Sequence, residues 1–237
     1  MSVAVHVYRY GYKHHIPNTL SNGGPMSEVQ KINLDGSVSI VTGGGRGIGR
    51  AVAIALAAAG SSVMVIARSE SELNETVSQI ESQGGTALAW PADVTNATQV
   101  ESVVSQIEDT VGPVNVLVNN AGDNRGMGPL WATDPEEWWR VVEVNLRGPY
   151  LFSRFVLRSM LERQSGRIIK MASNAALHPL PFATAYSCSK AALLRLTDSL
   201  AASVLDQGIY VFAISPGWVW TAMTERAVQE MKRSIPG

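Results

Sequence analysis

Between positions 42 and 49 the chain reads Thr42-Gly43-Gly44-Gly45-Arg46-Gly47-Ile48-Gly49. A β-branched run, Val38 to Thr42, precedes it, and an Ala-rich run, Gly47 to Ala59, follows and stops at Gly60. The first has the length and composition of a strand, the second those of a helix. Glycines placed between strand and helix permit a tight turn and let the backbone come close to a ligand. The positive end of the helix favours an anion such as a pyrophosphate at that point. The spacing is Gly43-x-x-x-Gly47-x-Gly49, not G-x-G-x-x-G. A glycine-rich turn by itself is more often structural. Its place between a strand and a helix favours binding.

The same alternation continues outward. Strands are predicted at Ser62 to Ala67, Thr86 to Trp90, Val114 to Val118, Arg167 to Met171 and Tyr210 to Ile214. Between them lie helices at Glu70 to Gln83, Ala97 to Thr110, Pro135 to Gln164 and Thr184 to Asp206. Apolar runs such as Val114-Asn115-Val116-Leu117-Val118 suit strands covered on both faces. The pattern predicts an α/β fold, a doubly wound parallel sheet with right-handed crossovers. In such sheets ligands bind beyond the carboxyl ends of the strands, where strand order reverses.

The end of the second strand bears on the ligand. Dinucleotide sites that take NAD place a carboxylate about 20 residues past the glycines, to hold ribose hydroxyls. Here the chain reads Ile66-Ala67-Arg68-Ser69, with no acid. Arg68 and Arg46 are expected to clamp a 2′-phosphate, so NADP(H) is favoured over NAD(H). The plainer reading of each is a solvated surface arginine.

Composition bounds the function classes. The 237 residues are 46% hydrophobic and 16% charged, with net charge −1. That is ordinary for a globular enzyme and offers no broad attraction to nucleic acid or anionic membrane. No apolar run reaches the roughly 18 residues of a membrane span. The single cysteine, Cys188, permits no intrachain disulfide and fits a cytoplasmic home. It reads as a small filler on a helix. The histidines form no metal-ligating cluster, and no metal is expected. Residues 1–31 lack sustained periodicity and the apolar core of a secretory signal, so they are expected to be a flexible extension, with Met26 a natural start. Residues 32–237 are expected to form one catalytic domain.

Seven motifs, in order from Thr42 to Thr221, resemble those of the short-chain dehydrogenase/reductase family. Thr42 to Gly49 matches its TGxxxGIG signature, which contributes Gly43, Gly45, Arg46, Gly47, Ile48 and Gly49 as cofactor residues. Ala92-Asp93-Val94 resembles the turn that holds the adenine ring. Asn119-Asn120-Ala121-Gly122 matches NNAG, and Asn145 matches the asparagine of the long helix. Ser173 stands 13 residues before Tyr186, and Tyr186-Ser187-Cys188-Ser189-Lys190 is the family's YxxxK. Pro216-Gly217-Trp218-Val219-Trp220-Thr221 resembles the PG turn and threonine that hold the nicotinamide side. The resemblance implies a three-layer αβα Rossmann-like fold. Relative to the family pattern it leaves out the last helix and seventh strand, so the sixth strand is expected to be an open sheet edge or to be covered by something else.

The resemblance also implies a chemistry. Carbonyl reduction needs a hydride and a proton, and Tyr186 is implied as the general acid/base. A free tyrosine titrates near ~10; Lys190, four residues on along the same helix face, is expected to lower that value and to bond the nicotinamide ribose. Ser173 is placed to donate to the substrate oxygen, and Asn145 to hold a water that relays protons to Lys190. Ser173, Ala175, His178, Phe182, Tyr186 and Trp218 are the candidate substrate contacts, with Trp220 and Met223 near them. The motif set resembles 3-oxoacyl-carrier-protein reductases and sugar or polyol dehydrogenases equally. The two long helices are expected to form a homodimer. The competing reading is a cofactor-binding regulator or scaffold with impaired catalysis.

Overall fold

The protein is described by a computed structural model, which covers residues 6–8 and 32–234. In chain order its main elements are β1 (His6–Tyr8), β2 (Val38–Thr42), α1 (Gly47–Ala58), β3 (Ser62–Ala67), α2 (Glu70–Ser82), β4 (Thr86–Pro91), α3 (Ala97–Thr110) and β5 (Val114–Asn119). There follow α4 (Pro135–Val142), α5 (Gly148–Arg163), β6 (Gly166–Met171), α6 (Thr184–Ser203), β7 (Ile209–Ser215) and α7 (Ala222–Ser234). The strands form one sheet in the order β1-β7-β6-β5-β2-β3-β4, with β2 to β7 mutually parallel. Strand order reverses between β2 and β5, which places the binding crevice there.

Alternate residues of these strands feed two cores. Ile40, Met64, Leu117 and Ile168 face one side and pack with Ile107, Phe152, Val156 and Met160 of α3 and α5. Val41, Val63, Val65 and Val118 face the other and pack with Ala53, Ala57, Leu73 and Ile80 of α1 and α2. This two-sided burial is why the strands read as nearly continuous apolar runs.

One expectation is corrected. The helix predicted from Pro135 to Gln164 is not continuous. Glu143–Arg147 forms a π turn between α4 and α5, in which the Gly148 N–H bonds the Glu143 carbonyl five residues back. Pro149 has no N–H to give the carbonyl of Asn145 four residues back, and the ladder widens at that point. At the sheet edge, the expectation that something else covers the sixth strand holds. β1 pairs antiparallel with β7, His6 opposite Ser215 and Tyr8 opposite Ala213. A seventh strand therefore exists, supplied from ahead of the parallel sheet, and it satisfies the exposed edge of β7. β1 lies within the expected N-terminal extension. The rest of that stretch, Met26 included, lies outside the described residues.

A helix also follows β7. α7 begins one residue past Thr221, and Asn124 donates to the Met223 carbonyl at 3.3 Å, tying it to the loop after β5. Among the described residues no helix is long and apolar enough to cross a membrane. Cys188 is exposed on α6.

Candidate active site

The carboxyl ends of β2 to β7 surround a cleft of about 540 Å³. Its floor is the glycine turn. A Cβ on Gly49 would stand 2.1 Å from the Gly43 carbonyl oxygen, so only glycine fits there, and Gly47 has φ +55°. Thr76 and Arg50 hold the turn from α2 and α1: Thr76 Oγ1 donates to the Gly44 carbonyl at 3.0 Å and Arg50 Nε to the Gly45 carbonyl at 3.0 Å. The first turn of α1 has no acidic residue, and no side chain caps it. Ser69, Asn96 and Asp134 do cap α2, α3 and α4. The uncapped N–H groups of α1, above a backbone with no Cβ, fit a pyrophosphate.

Thr42 and Asn120 fix this turn to β5. Thr42 Oγ1 accepts from the N–H groups of Asn120 and Ala121 at 3.0 Å each, and Asn120 Nδ2 donates to the Thr42 and Gly43 carbonyls at 2.9 and 3.2 Å. Gly43, Gly45, Arg46, Gly47, Ile48, Gly49, Asn120, Ala121 and Gly122 all line the cleft. So do Pro216, Gly217, Val219 and Thr221, and the Thr221 methyl lies 3.5 Å from a Cβ built on Gly47. The two ends of the binding crevice thus close on one another.

At the other end Arg68, Ser69, Asp93 and Val94 also line the cleft, and there Ser69, Asp93 and the neighbouring Arg46 have protein partners. Ser69 Oγ accepts from the Glu72 N–H at 3.4 Å as the cap of α2. Arg46 ion-pairs with Glu72 at 3.2 Å, with its own side chain 62% exposed. Asp93 holds Arg140 at 2.6 Å and accepts from the N–H and hydroxyl of Thr95. Burial raises the Asp93 carboxyl, but the Thr95 and Arg140 bonds outweigh it and leave it below the usual carboxylate range. Glu72 and Arg140 also line the cleft and carry no motif in the sequence, because an ion-pairing side chain inside a helix has no sequence signature. Arg68 is exposed at the end of β3.

Ser173, Tyr186 and Lys190 converge on the cleft opposite the glycine turn. Ser173 follows β6, and its Oγ accepts from the Ala175 N–H at 3.2 Å while its hydroxyl acts to lower the Tyr186 pKa. Lys190 is buried one turn along α6 from Tyr186; its Nζ donates to the Met171 carbonyl at 2.7 Å and stands 5.6 Å from the Tyr186 ring centroid. Burial pushes the Tyr186 hydroxyl above its ordinary value, against the opposing pull of the Ser173 hydroxyl. Burial also brings Lys190 down to about 8. Desolvation dominates Tyr186, and the expected lowering by Lys190 is not among the influences on it.

Asn145 is fully buried and does not line the cleft. Its Nδ2 donates to the Asp123 carbonyl at 2.8 Å and to Ser189 Oγ at 3.0 Å, while its Oδ1 accepts from the Asp123 N–H at 2.8 Å. The side chain is thus a clamp between β5's exit and α6. The proposed substrate residues divide. Ser173, Tyr186 and Met223 line the cleft, but Ala175, His178, Phe182 and Trp218 do not. Residues 174–176 coil into a short 3₁₀ turn that carries the loop outward, and Trp218 and Trp220 are 62% and 67% exposed. Phe182 takes φ +65° and its carbonyl accepts from the Gly128 N–H at 2.7 Å, joining two rim loops. Asp123, Arg125 and Arg226 line the cleft instead.

Residues 37–232 match the family model described as short chain dehydrogenase. A short chain dehydrogenase of Pseudocercospora fijiensis is 47% identical over 189 residues, which cover 78% of this chain and 60% of the relative's length. Among solved structures, a variant of actinorhodin polyketide ketoreductase with NADPH superposes with TM-score 0.80 at 36% identity, covering 83% of this chain and 76% of that one. NAD+-bound xylitol dehydrogenase gives TM-score 0.82 at 30% identity, covering 85% and 78%. With its glycine turn, its Ser173–Tyr186–Lys190 cluster and this match across most of its length, the chain belongs to the short chain dehydrogenase family.

Proposed function

We propose that the chain is an NADP(H)-dependent oxidoreductase that interconverts a carbonyl and a secondary alcohol, with Tyr186 as the general acid/base. The observation that carries this reading is the convergence of Ser173, Tyr186 and Lys190 on one cleft whose floor is a glycine turn, with Lys190 buried behind it. When bound, a nicotinamide dinucleotide supplies a hydride to the carbonyl carbon in one direction and takes it back in the other.

The protein supplies position and protons. Burial keeps Tyr186 protonated near neutral pH, so its proton is present on Oη when the substrate oxygen becomes a strongly basic alkoxide and takes it. Ser173 donates to the same oxygen and stabilises the charge that develops there. Lys190, fixed by the Met171 carbonyl, favours the phenolate left behind and can bond the nicotinamide ribose. Asn145 is a positioning residue through its side chain. Its backbone carbonyl, without an N–H at Pro149, can hold the water that returns a proton through Lys190 to Tyr186.

Arg68, in the cleft at a strand end without an acid, supports NADP(H) over NAD(H), with Arg46 turning from Glu72 to share the phosphate. The domain spans residues 32–237, works in the cytoplasm and forms a homodimer through α4, α5 and α6. Tyr150 and Leu161 of α5, 45% and 42% exposed, suit such a contact. The test is to mix the purified protein with NADPH and a panel of ketones, acyl thioesters and sugars and follow cofactor oxidation. Turnover on at least one upholds the reading. Tight cofactor binding with no turnover on any would favour a regulator.

A further inference from the structure

Two arginines of the cleft have no part in the chemistry above. Arg125 lies in the loop after β5 and Arg226 on α7, and both line the cleft. They meet at Asp123, whose side chain is only 8% exposed. Arg125 grips this carboxylate with Nε at 2.8 Å and a terminal nitrogen at 2.6 Å. Burial raises the Asp123 carboxyl, but its Arg125 bonds win and keep it ionised below the usual range. Arg125 also feels the negative charges of Glu137 and Glu230, so its own charge is well matched.

Arg226 is placed differently. A terminal nitrogen donates to Asn124 Oδ1 at 3.2 Å and stands 3.9 Å from Asp123, whose oxygens Arg125 already occupies. Its Nε is buried and donates to no acceptor among the described residues. A buried guanidinium donor is costly to leave unmatched, and an arginine fork is shaped for carboxylate, sulfonate or phosphate. The position favours the substrate over the cofactor pyrophosphate, which has the open end of α1. Met223 Cε comes within 3.7 Å of a Cβ built on Gly122, beside Asn145, so the first turn of α7 covers the side of the cleft that leads to α6. Arg226 is the next turn of that helix.

We infer that Arg226, held beside Arg125 by Asp123 and Asn124, binds an anionic group on the substrate, and that the preferred substrates are oxo acids and their hydroxy acids. This rests on the oxidoreductase reading above. The acid group lies in the cleft against the Arg226 guanidinium, whose side chain is 39% exposed, while the carbonyl oxygen meets Ser173 and Tyr186.

The test compares oxo acids of four to eight carbons with their methyl esters, using NADPH and the full chain. The carboxylate is expected to exceed its ester in kcat/KM by tenfold or more in at least one pair, chiefly through KM. Arg226→Gln is expected to erase that ratio and Arg226→Lys to restore part of it, with NADPH affinity within about twofold of wild type in both. Wild type with no preference for any acid, a ratio that survives Arg226→Gln, or an equal loss of NADPH binding would each overturn the inference. If no ketone is turned over, the oxidoreductase reading fails first. Calorimetry with the same carboxylates and the NADP-loaded protein then decides the anion site: binding lost in Arg226→Gln upholds it, and no binding in wild type overturns it.

Discussion

Tyr186 sits against two opposing influences, the dehydrating wall of the cleft and the hydroxyl of Ser173, and the wall is the stronger. A sequence shows that tyrosine and lysine share a helix face, but not how much water reaches either, so the direction of the Tyr186 shift was not legible there. The identities were legible, because the 13-residue step from Ser173 and the four-residue step to Lys190 are one-dimensional. A buried Lys190 with its value near 8 gives a sign for pH dependence. Its ammonium is present below that value and lost above it, so kcat/KM for carbonyl reduction should fall as pH rises past about 8. A profile flat from pH 7 to 10 would speak against the role of Lys190. At the adenosine end, Arg68→Asp should weaken NADPH binding at least tenfold while NADH stays within about threefold. Fluorescence titration of both cofactors reads this directly, and an equal loss for both would remove Arg68 from the phosphate site. Glu72 is the residue that complicates it, since its pairing with Arg46 has no sequence signal.

Elements were read well where burial sets the period and less well where a backbone donor is missing. The six parallel strands appear within two residues of their expected ends, because two-sided burial leaves an unbroken apolar signature. The sequence predicts one long helix through Pro149 because apolar residues run on across the break. In the structure the missing N–H of Pro149 opens a π turn around Asn145. This break has a consequence that can be measured. Pro149→Ala returns a donor to the Asn145 carbonyl and should close the turn toward α-helix. The expected outcome is a gain of about 1 kcal/mol in stability together with a several-fold fall in kcat at unchanged NADPH affinity. Unchanged kcat with a stabilised helix would mean that the carbonyl has no part in proton return.

For the whole molecule, the parallel sheet and its crevice followed from alternation, whereas the antiparallel β1 did not, since three residues within an aperiodic leader carry no pattern. Deleting residues 1–31 should uncover β7, lower stability by about 1–3 kcal/mol and increase self-association, measured by denaturant melts and light scattering. Beneath the sheet, Lys170 of β6 is fully buried, and neither its Nζ nor Oδ1 of its cross-strand neighbour Asn119 has a hydrogen-bond partner among the described residues. Burial brings Lys170 down to about 7. Its folded value lies below the unfolded one, so the unfolded chain binds the proton more readily, and stability should rise as pH climbs from about 7 toward 10. Lys170→Met should raise stability at pH 6 by on the order of 2 kcal/mol and flatten that slope. The claim on which the rest depends is that this cleft, with Tyr186 as its proton donor, reduces a carbonyl. The most direct measurement sets wild type against Tyr186→Phe on one accepted ketone, following NADPH absorbance, with NADPH binding measured on the same samples. The account predicts a loss of a thousandfold or more in turnover at nearly unchanged NADPH affinity, and turnover within tenfold of wild type would contradict it.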